Sequence, residues 1–226
     1  MARQDIIVIG GSVGGIEASK DIIRDLPADL PAAVFVVIHV SPKSEGVLAR
    51  ILGRAGKLAA ATAQNGERIR SGRIYVAPPD YHVLVKEEYV ELSRGPKENN
   101  HRPAINPLFR SAALAYGPRV IGLVLSGSLD DGSAGLVAIK KGGGTAIVQD
   151  PEDAPFPDMP RNALAATDVD YCLPKSEIAA VLARLAHVSE DEKEAPAAPT
   201  DMKKEAAIEE VDMDVISSEE KRDLGH

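Results

Sequence analysis

The chain has 226 residues, 44% of them apolar and 4% aromatic, and a formal net charge of −8. Residues 190–226 hold 13 Asp/Glu against 5 Lys/Arg, so the whole acidic excess sits there and residues 1–189 are neutral. A neutral body with few flat rings lacks both the counter-charge and the stacking platforms that polyanions need, which excludes nucleic acid as a partner.

The single cysteine, Cys172, excludes an internal disulfide. It lies in the apolar run Val169–Leu173 and reads as a buried structural thiol. Met-Ala-Arg-Gln-Asp runs straight into a strand-like segment, without the pattern of a signal peptide. No apolar run reaches the ~20 residues of a membrane span, so the expectation is a cytoplasmic protein with no membrane insertion.

Ile6–Ile9 is a continuous apolar run closed by glycines, the pattern of a strand buried on both faces. Gly15–Leu26 carries Ile16, Ala18, Ile22, Ile23 and Leu26 on one helical face. Ala33–Ile38 is a second strand, with a helix around Leu48–Leu52 behind it, and Arg73–Ala77 is a third. Tyr81–Val85 and Tyr89–Leu92 flank Lys86–Glu88 as a small hairpin. Pro103–Tyr116 reads as a helix with Pro103 as its starting residue. Val120–Leu125 is a strong strand, followed by a helix over Ala134–Lys141. Thr145–Val148 and Val169–Leu173 are further strands, separated by a Pro-rich loop and a helix from Pro160. A helix over Ser176–Leu185 closes the unit.

Strands alternating with helices predict a doubly wound, mostly parallel, Rossmann-like α/β sheet with a small β-hairpin insertion. The domain spans 1–188. Residues 189–226, rich in Pro, Ala, Lys and Glu without apolar periodicity, read as an acidic disordered tail or linker.

Three loops carry chemistry. Gly10-Gly11-Ser12-Val13-Gly14-Gly15 joins a strand to a helix. A dinucleotide fingerprint G-x-G-x-x-G would need glycine where Ser12 stands, whereas G-x-S-x-G is matched by Gly10, Ser12 and Gly14. A serine on such a turn projects into the crevice, and the helix start behind it offers backbone N–H groups, Val13 among them, to an oxyanion. The bland alternative is a tight turn with a cap. The next strand ends in His39 instead of the acidic residue that would hold a ribose. A lone histidine at a strand end is more often structural, but neighbouring strands lie about 4.8 Å apart, so if the two strands are adjacent His39 can reach Ser12 as the base that a serine nucleophile needs. The third loop, Ser126–Gly135, holds Asp130-Asp131-Gly132. It faces Ser12 if the strand order reverses between the first strand and Val120–Leu125, and its alternative is an Asp-Gly helix cap. A metal loop is the weaker reading, since no Cys/His cluster accompanies it.

With these loops the chain resembles the catalytic domain of the CheB-type chemotaxis protein-glutamate methylesterases. The resemblance covers about residues 5–186. It rests on Ile9–Gly15, Val37-Ile38-His39-Val40, Gly72–Pro78, His101-Arg102-Pro103-Ala104-Ile105-Asn106-Pro107-Leu108-Phe109, Ser126–Gly135 and Met159–Ala163, six motifs in the family's order. It implies Ser12 as nucleophile, His39 as base and Asp131 as triad acid, with no metal or cofactor. It also implies an oxyanion hole that uses the backbone N–H at Ser128. Where the family has Thr-Gly-Met-Gly this chain has Ser126-Gly127-Ser128-Leu129, and Asn106 stands where Asp is frequent. The implied activity is hydrolysis of glutamate methyl esters on chemoreceptor (methyl-accepting) helices, with deamidation of receptor glutamines as a second reaction of the same acyl-enzyme. An inactive binding module of the same fold and a nucleotide-binding Rossmann domain are the alternatives. The two-domain members carry a receiver domain before the catalytic one, and from the short segment before the first strand the expectation is a catalytic domain without it.

Overall fold

The computed structural model describes residues 4–41 and 46–188; the tail assigned to 189–226 lies outside them. The first half contains β1 (Ile6–Gly11), α1 (Gly15–Asp25), β2 (Ala33–Ile38), α2 (Leu48–Ala55), β3 (Ala59–Thr62) and β4 (Arg73–Val76). A hairpin follows, β5 (His82–Val85) and β6 (Val90–Ser93). The second half contains α3 (Ile105–Tyr116), β7 (Val120–Val124), α4 (Ser133–Lys141), β8 (Thr145–Gln149), α5 (Asp158–Ala166), β9 (Tyr171–Leu173) and α6 (Lys175–His187).

Seven strands form one parallel sheet in the order β3-β4-β2-β1-β7-β8-β9, and the antiparallel hairpin β5-β6 stands apart from it. β1 lies between β2 and β7, so the order reverses there, as the doubly wound reading requires. Every residue of β1, β2 and β7 is buried, because helices cover both faces and each alternate side chain must enter one of two cores. Ile7 and Ile9 pack with Val34, Val36, Ile22, Leu52 and Leu182 on the α1/α2/α6 side. Ile6 and Val8 pack with Phe35, Val37, Phe109, Leu136 and Val85 on the side of α3, α4, α5 and the hairpin. Truncating one of these fully buried Ile or Leu side chains to Ala costs ~2–5 kcal/mol.

One strand is added to the sequence expectations and two of them are corrected. Strand β3 (Ala59–Thr62) has no counterpart in the sequence reading. Its alanines carry no strand propensity, and it is held as an edge strand by the β4 ladder. Pro103 does not start α3: it follows a cis Arg102–Pro103 peptide, and the helix begins at Ile105 with Ala104 as its extended cap. Cys172 is exposed, not buried. β9 is a three-residue edge strand covered on one side only, so an apolar run there leaves a side chain outside.

Candidate active site

The carboxyl ends of β1, β2 and β7 meet at the point of strand reversal, and the three loops singled out in the sequence all leave from there. Ser12 follows β1. Its N–H donates to Ser126 O (3.0 Å) and its carbonyl accepts from Gly15 N–H (2.9 Å), closing a tight turn with Gly14 in the left-handed region at φ 83°. His39 N–H donates to Gly11 O (3.1 Å), which continues the β1–β2 ladder past the Gly11–Ile38 pair. Ser12 and His39 are therefore the first residues beyond two adjacent strand ends.

Asp131 is 1% exposed and joins His39 through Oδ2 to Nε2 at 2.7 Å. The same carboxylate accepts N–H bonds from Ile105 (2.8 Å, Oδ2), Asn106 (3.2 Å, Oδ1) and Gly132 (3.0 Å, Oδ1), and one from Asn99 Nδ2 (3.3 Å, Oδ1). Ile105 and Asn106 open α3, so a carboxylate from another loop occupies the positive end of that helix. Burial opposes ionisation of Asp131. The hydrogen bonds from His39, Ile105 and Asn106 overcome it and hold the carboxyl below its ordinary range.

Ionic and polar contacts extend this centre on two sides. Asn106 Oδ1 accepts from Gly132 N–H (3.0 Å) and Gly135 N–H (2.8 Å), and its Nδ2 donates to Glu98 Oε1 (2.9 Å). Arg110 forks onto both oxygens of Glu98. On the other side, buried Ser126 donates from Oγ to Val13 O (2.9 Å) and accepts from Phe156 N–H (3.1 Å), tying the Ser12 turn to the Asp131 loop. Its own N–H is taken by Gln149 Oε1 (2.9 Å). Gly127 has to be glycine, because a Cβ there would stand 2.7 Å from Ser12 Cβ and 2.1 Å from Met159 Sδ.

The structure thus joins His39 to Asp131 and sets Ser12 across from His39, but no hydrogen bond links Ser12 to the ring. His39 Nδ1 is buried and has no partner among the described residues. Since Asp131 is the acceptor at Nε2, that nitrogen carries the proton in the neutral ring and Nδ1 carries the lone pair. The N–H groups of Ser12 and Gly127 are spent on Ser126 O and Phe156 O, whereas those of Val13 and Ser128 meet no acceptor among the described residues. Leu129 adopts a positive φ, 69°, a conformation that favours glycine.

The sequence reading assigned no role to Glu98, Asn99, Arg110, Ser126 or Gln149. Asn99-Asn100 did carry a signal: consecutive asparagines suit a two-residue turn with both central residues at positive φ, and both have it. A separate cleft of about 350 Å³ lies among Asp5, Arg68, Glu88 and Arg119. It opens at the amino ends of the strands, away from the crevice where open α/β sheets bind ligands, and Arg119 is already paired with Asp5 at 2.8 Å. Among the described residues no helix is long and apolar enough to cross a membrane.

The chain is similar to known proteins in sequence and in fold. A family model described as CheB methylesterase matches residues 7–182. A protein of Leptospira interrogans, provisionally named a protein-glutamate methylesterase/protein-glutamine glutaminase, is 42% identical over 80% of this chain and 94% of its own. Protein-glutamate methylesterase/protein-glutamine glutaminase 2 of Methanosarcina mazei is 38% identical over 78% of this chain, which spans half of that enzyme's length. The crystal structure of the Thermotoga maritima CheB methylesterase catalytic domain superposes with a TM-score of 0.78 at 34% identity, covering 80% of this chain and 98% of that one. On fold and sequence together, the chain belongs to the CheB methylesterase family, a family of hydrolases.

Proposed function

We propose that the chain hydrolyses methyl esters of glutamate side chains on chemoreceptor proteins in the cytoplasm, with Ser12, His39 and Asp131 as its triad. The observation that carries this reading is the buried His39–Asp131 pair, which leaves an Nδ1 lone pair without a partner among the described residues, beside the strand end that bears Ser12.

The chemistry follows from that arrangement. His39 Nδ1 takes the Ser12 hydroxyl proton as Oγ bonds to the γ-carbonyl carbon, and Asp131 stabilises the imidazolium through Nε2–H. The carbonyl oxygen becomes an oxyanion, for which the N–H groups of Val13 and Ser128, without an acceptor among the described residues, are the available donors. The tetrahedral intermediate collapses, the bond to methoxide breaks, and His39 returns its proton so that methanol leaves. Water, deprotonated by His39, then attacks the acyl-enzyme and releases glutamate and free Ser12. A glutamine side chain would enter the same acyl-enzyme with ammonia as the leaving group. A nucleotide-binding role is disfavoured because the residue at the ribose-binding position is His39, whose ring is committed to Asp131.

The test is methanol release from a methyl-esterified receptor fragment. Ser12→Ala and His39→Gln should each remove nearly all of it, since loss of one triad member costs ~10⁴-fold or more. More than about a tenth of wild-type activity in Ser12→Ala would refute the assignment.

A further inference from the structure

One side chain in the site has no part in the scheme above. His101 lies against His39 with ring centroids 3.7 Å apart and planes 8° from parallel. Its position is fixed by the chain that carries it. Glu98 and His101 exchange both backbone hydrogen bonds, His101 N–H to Glu98 O at 2.8 Å and Glu98 N–H to His101 O at 3.2 Å. Between them Asn99 and Asn100 have φ of 49° and 64°. That is a two-residue hairpin turn, and asparagine is the residue type other than glycine that best tolerates it.

Two further contacts pin the turn to the surroundings of the triad, and a third braces it from within. Glu98 holds Asn106 and Arg110, Asn99 Nδ2 donates to Asp131, and Asn99 O accepts from His101 Nδ1 at 2.6 Å. The last bond sets the tautomer, because a carbonyl accepts only from a protonated Nδ1. The ring is neutral by environment as well. Burial pushes the His101 imidazole below its ordinary pKa, and His39 beside it pushes the same way. The titratable and charged groups acting on it are His39 at the end of β2, Asp131 from the β7–α4 loop, and Lys97 on its own segment. A neutral aromatic face against the base has two consequences. It blocks rotation of the His39 ring out of the plane that delivers Nε2–H to Asp131. It also offers a π face, instead of a second positive charge, to the imidazolium that forms during the reaction.

We propose that His101 is a positioning residue for His39, acting through its ring face and not through its nitrogens, with the Glu98–His101 turn as the device that holds it there. The proposal rests on the functional reading above. It predicts that shape, not titration, is what matters at position 101.

The test compares His101→Ala and His101→Phe in the full chain, using methanol release from the methyl-esterified receptor fragment and the proton NMR signal of His39 Nε2–H. Phenylalanine keeps a flat face but no ring nitrogen. In wild type the Nε2–H bonded to a buried carboxylate should give a sharp signal far downfield. His101→Ala should lower kcat ~10–100-fold, the scale of a misplaced catalytic group, with KM changed less than about threefold, and should broaden that signal. His101→Phe should restore kcat to within about fivefold of wild type and restore the sharp signal. A His101→Ala enzyme with wild-type kcat and a sharp signal overturns the proposal. So does a His101→Phe enzyme as slow as His101→Ala although its signal is sharp, since a ring nitrogen would then be needed. If wild type releases no methanol, the functional reading fails by itself, and the NMR signal of the three proteins still decides whether His101 orients the base.

Discussion

Asp131 and Asn106 cap each other's helices. Asp131, just before α4, accepts the Ile105 and Asn106 N–H groups that open α3, and Asn106, in the first turn of α3, accepts the Gly132 and Gly135 N–H groups that open α4. Four orphan donors at two helix starts are satisfied by two side chains, each supplied by the other element. Gly132, at φ 96°, lets the chain turn from Asp131 directly into α4. Asp131 is thus placed by the packing of α3 on α4 and cannot shift unless both helix starts move with it.

Asp131→Asn should therefore fail twice. An amide puts its NH₂ where Oδ1 or Oδ2 now accepts N–H bonds, and it favours the wrong His39 tautomer. Activity should fall about 10⁴-fold, with a small residue remaining. Thermal unfolding of the variant should show a lower midpoint than Ser12→Ala, whose side chain holds no helix start. Equal midpoints would mean that the reciprocal caps contribute little.

Asn106→Asp tests why this chain carries an amide where its family often has a carboxylate. The Oδ1 bonds to Gly132 and Gly135 would survive, but the second oxygen would face Glu98 Oε1 in place of the present 2.9 Å hydrogen bond. Two carboxylates in contact repel, and losing a hydrogen bond to a charged partner costs ~1.5–3 kcal/mol. The single variant should lose stability in urea unfolding, and Asn106→Asp with Glu98→Gln should regain most of it. Additive losses in the double variant would show that the two side chains are not coupled.

The loops bearing Ser12, His39 and Asp131 were legible because each leaves a strand buried on both faces, whose apolar run marks where a crevice residue must follow. The turn that brings Asn99, Glu98 and His101 to the site was not read. It belongs to a polar connection, 94–104, with no periodicity, and only the Asn99-Asn100 pair hinted at its shape. Asn106 leaves its role open in the sequence because an amide carries no charge to mark it, whereas its function here is hydrogen-bond geometry. Cys172 misled for the opposite reason: its apolar neighbours resemble a central strand, and nothing local says that β9 is the edge.

Stability should fall on mild acidification. His82 is fully buried, donates from Nε2 to Pro96 O (2.9 Å) and accepts Ala104 N–H at Nδ1 (3.2 Å), so a second ring proton would confront a donor. Burial pushes its pKa below the ordinary 6.5, as it does for His101. Below about pH 6.5 the unfolded chain takes up protons that the folded chain does not, so stability declines from there until the folded-state pKa values are reached. Asp131, held below its ordinary 3.8, adds a further loss only when the pH drops through that range. Urea unfolding between about pH 7.5 and 5 should show the decline, and His82→Gln, which keeps a donor and an acceptor, should flatten it. A slope unchanged in His82→Gln would assign the decline to other groups.

Leu129 is the non-glycine residue of the Asp131 loop that takes a positive φ. Its φ of 69° is left-handed, its side chain is 60% exposed, and its carbonyl is held by Asn162 Nδ2 at 2.7 Å. A non-glycine residue in that conformation carries ~1–2 kcal/mol of strain. Replacing it with glycine, the residue usual there in the family, removes the strain but gives back ~0.5–1 kcal/mol through the freer unfolded chain. Leu129→Gly should therefore leave stability within about 1 kcal/mol of wild type. Leu129→Val, whose branched Cβ tolerates positive φ least, should be the least stable of the three. The Asn162 bond anchors the backbone in either case, so the neighbouring Ser128 N–H keeps its direction when glycine is present. On that argument Leu129→Gly should keep methanol release within about threefold, whereas Leu129→Val should lower it by reorienting the loop. A Leu129→Gly enzyme tenfold slower or faster than wild type would show that the leucine side chain itself acts in the site, and the strain-only account would fail.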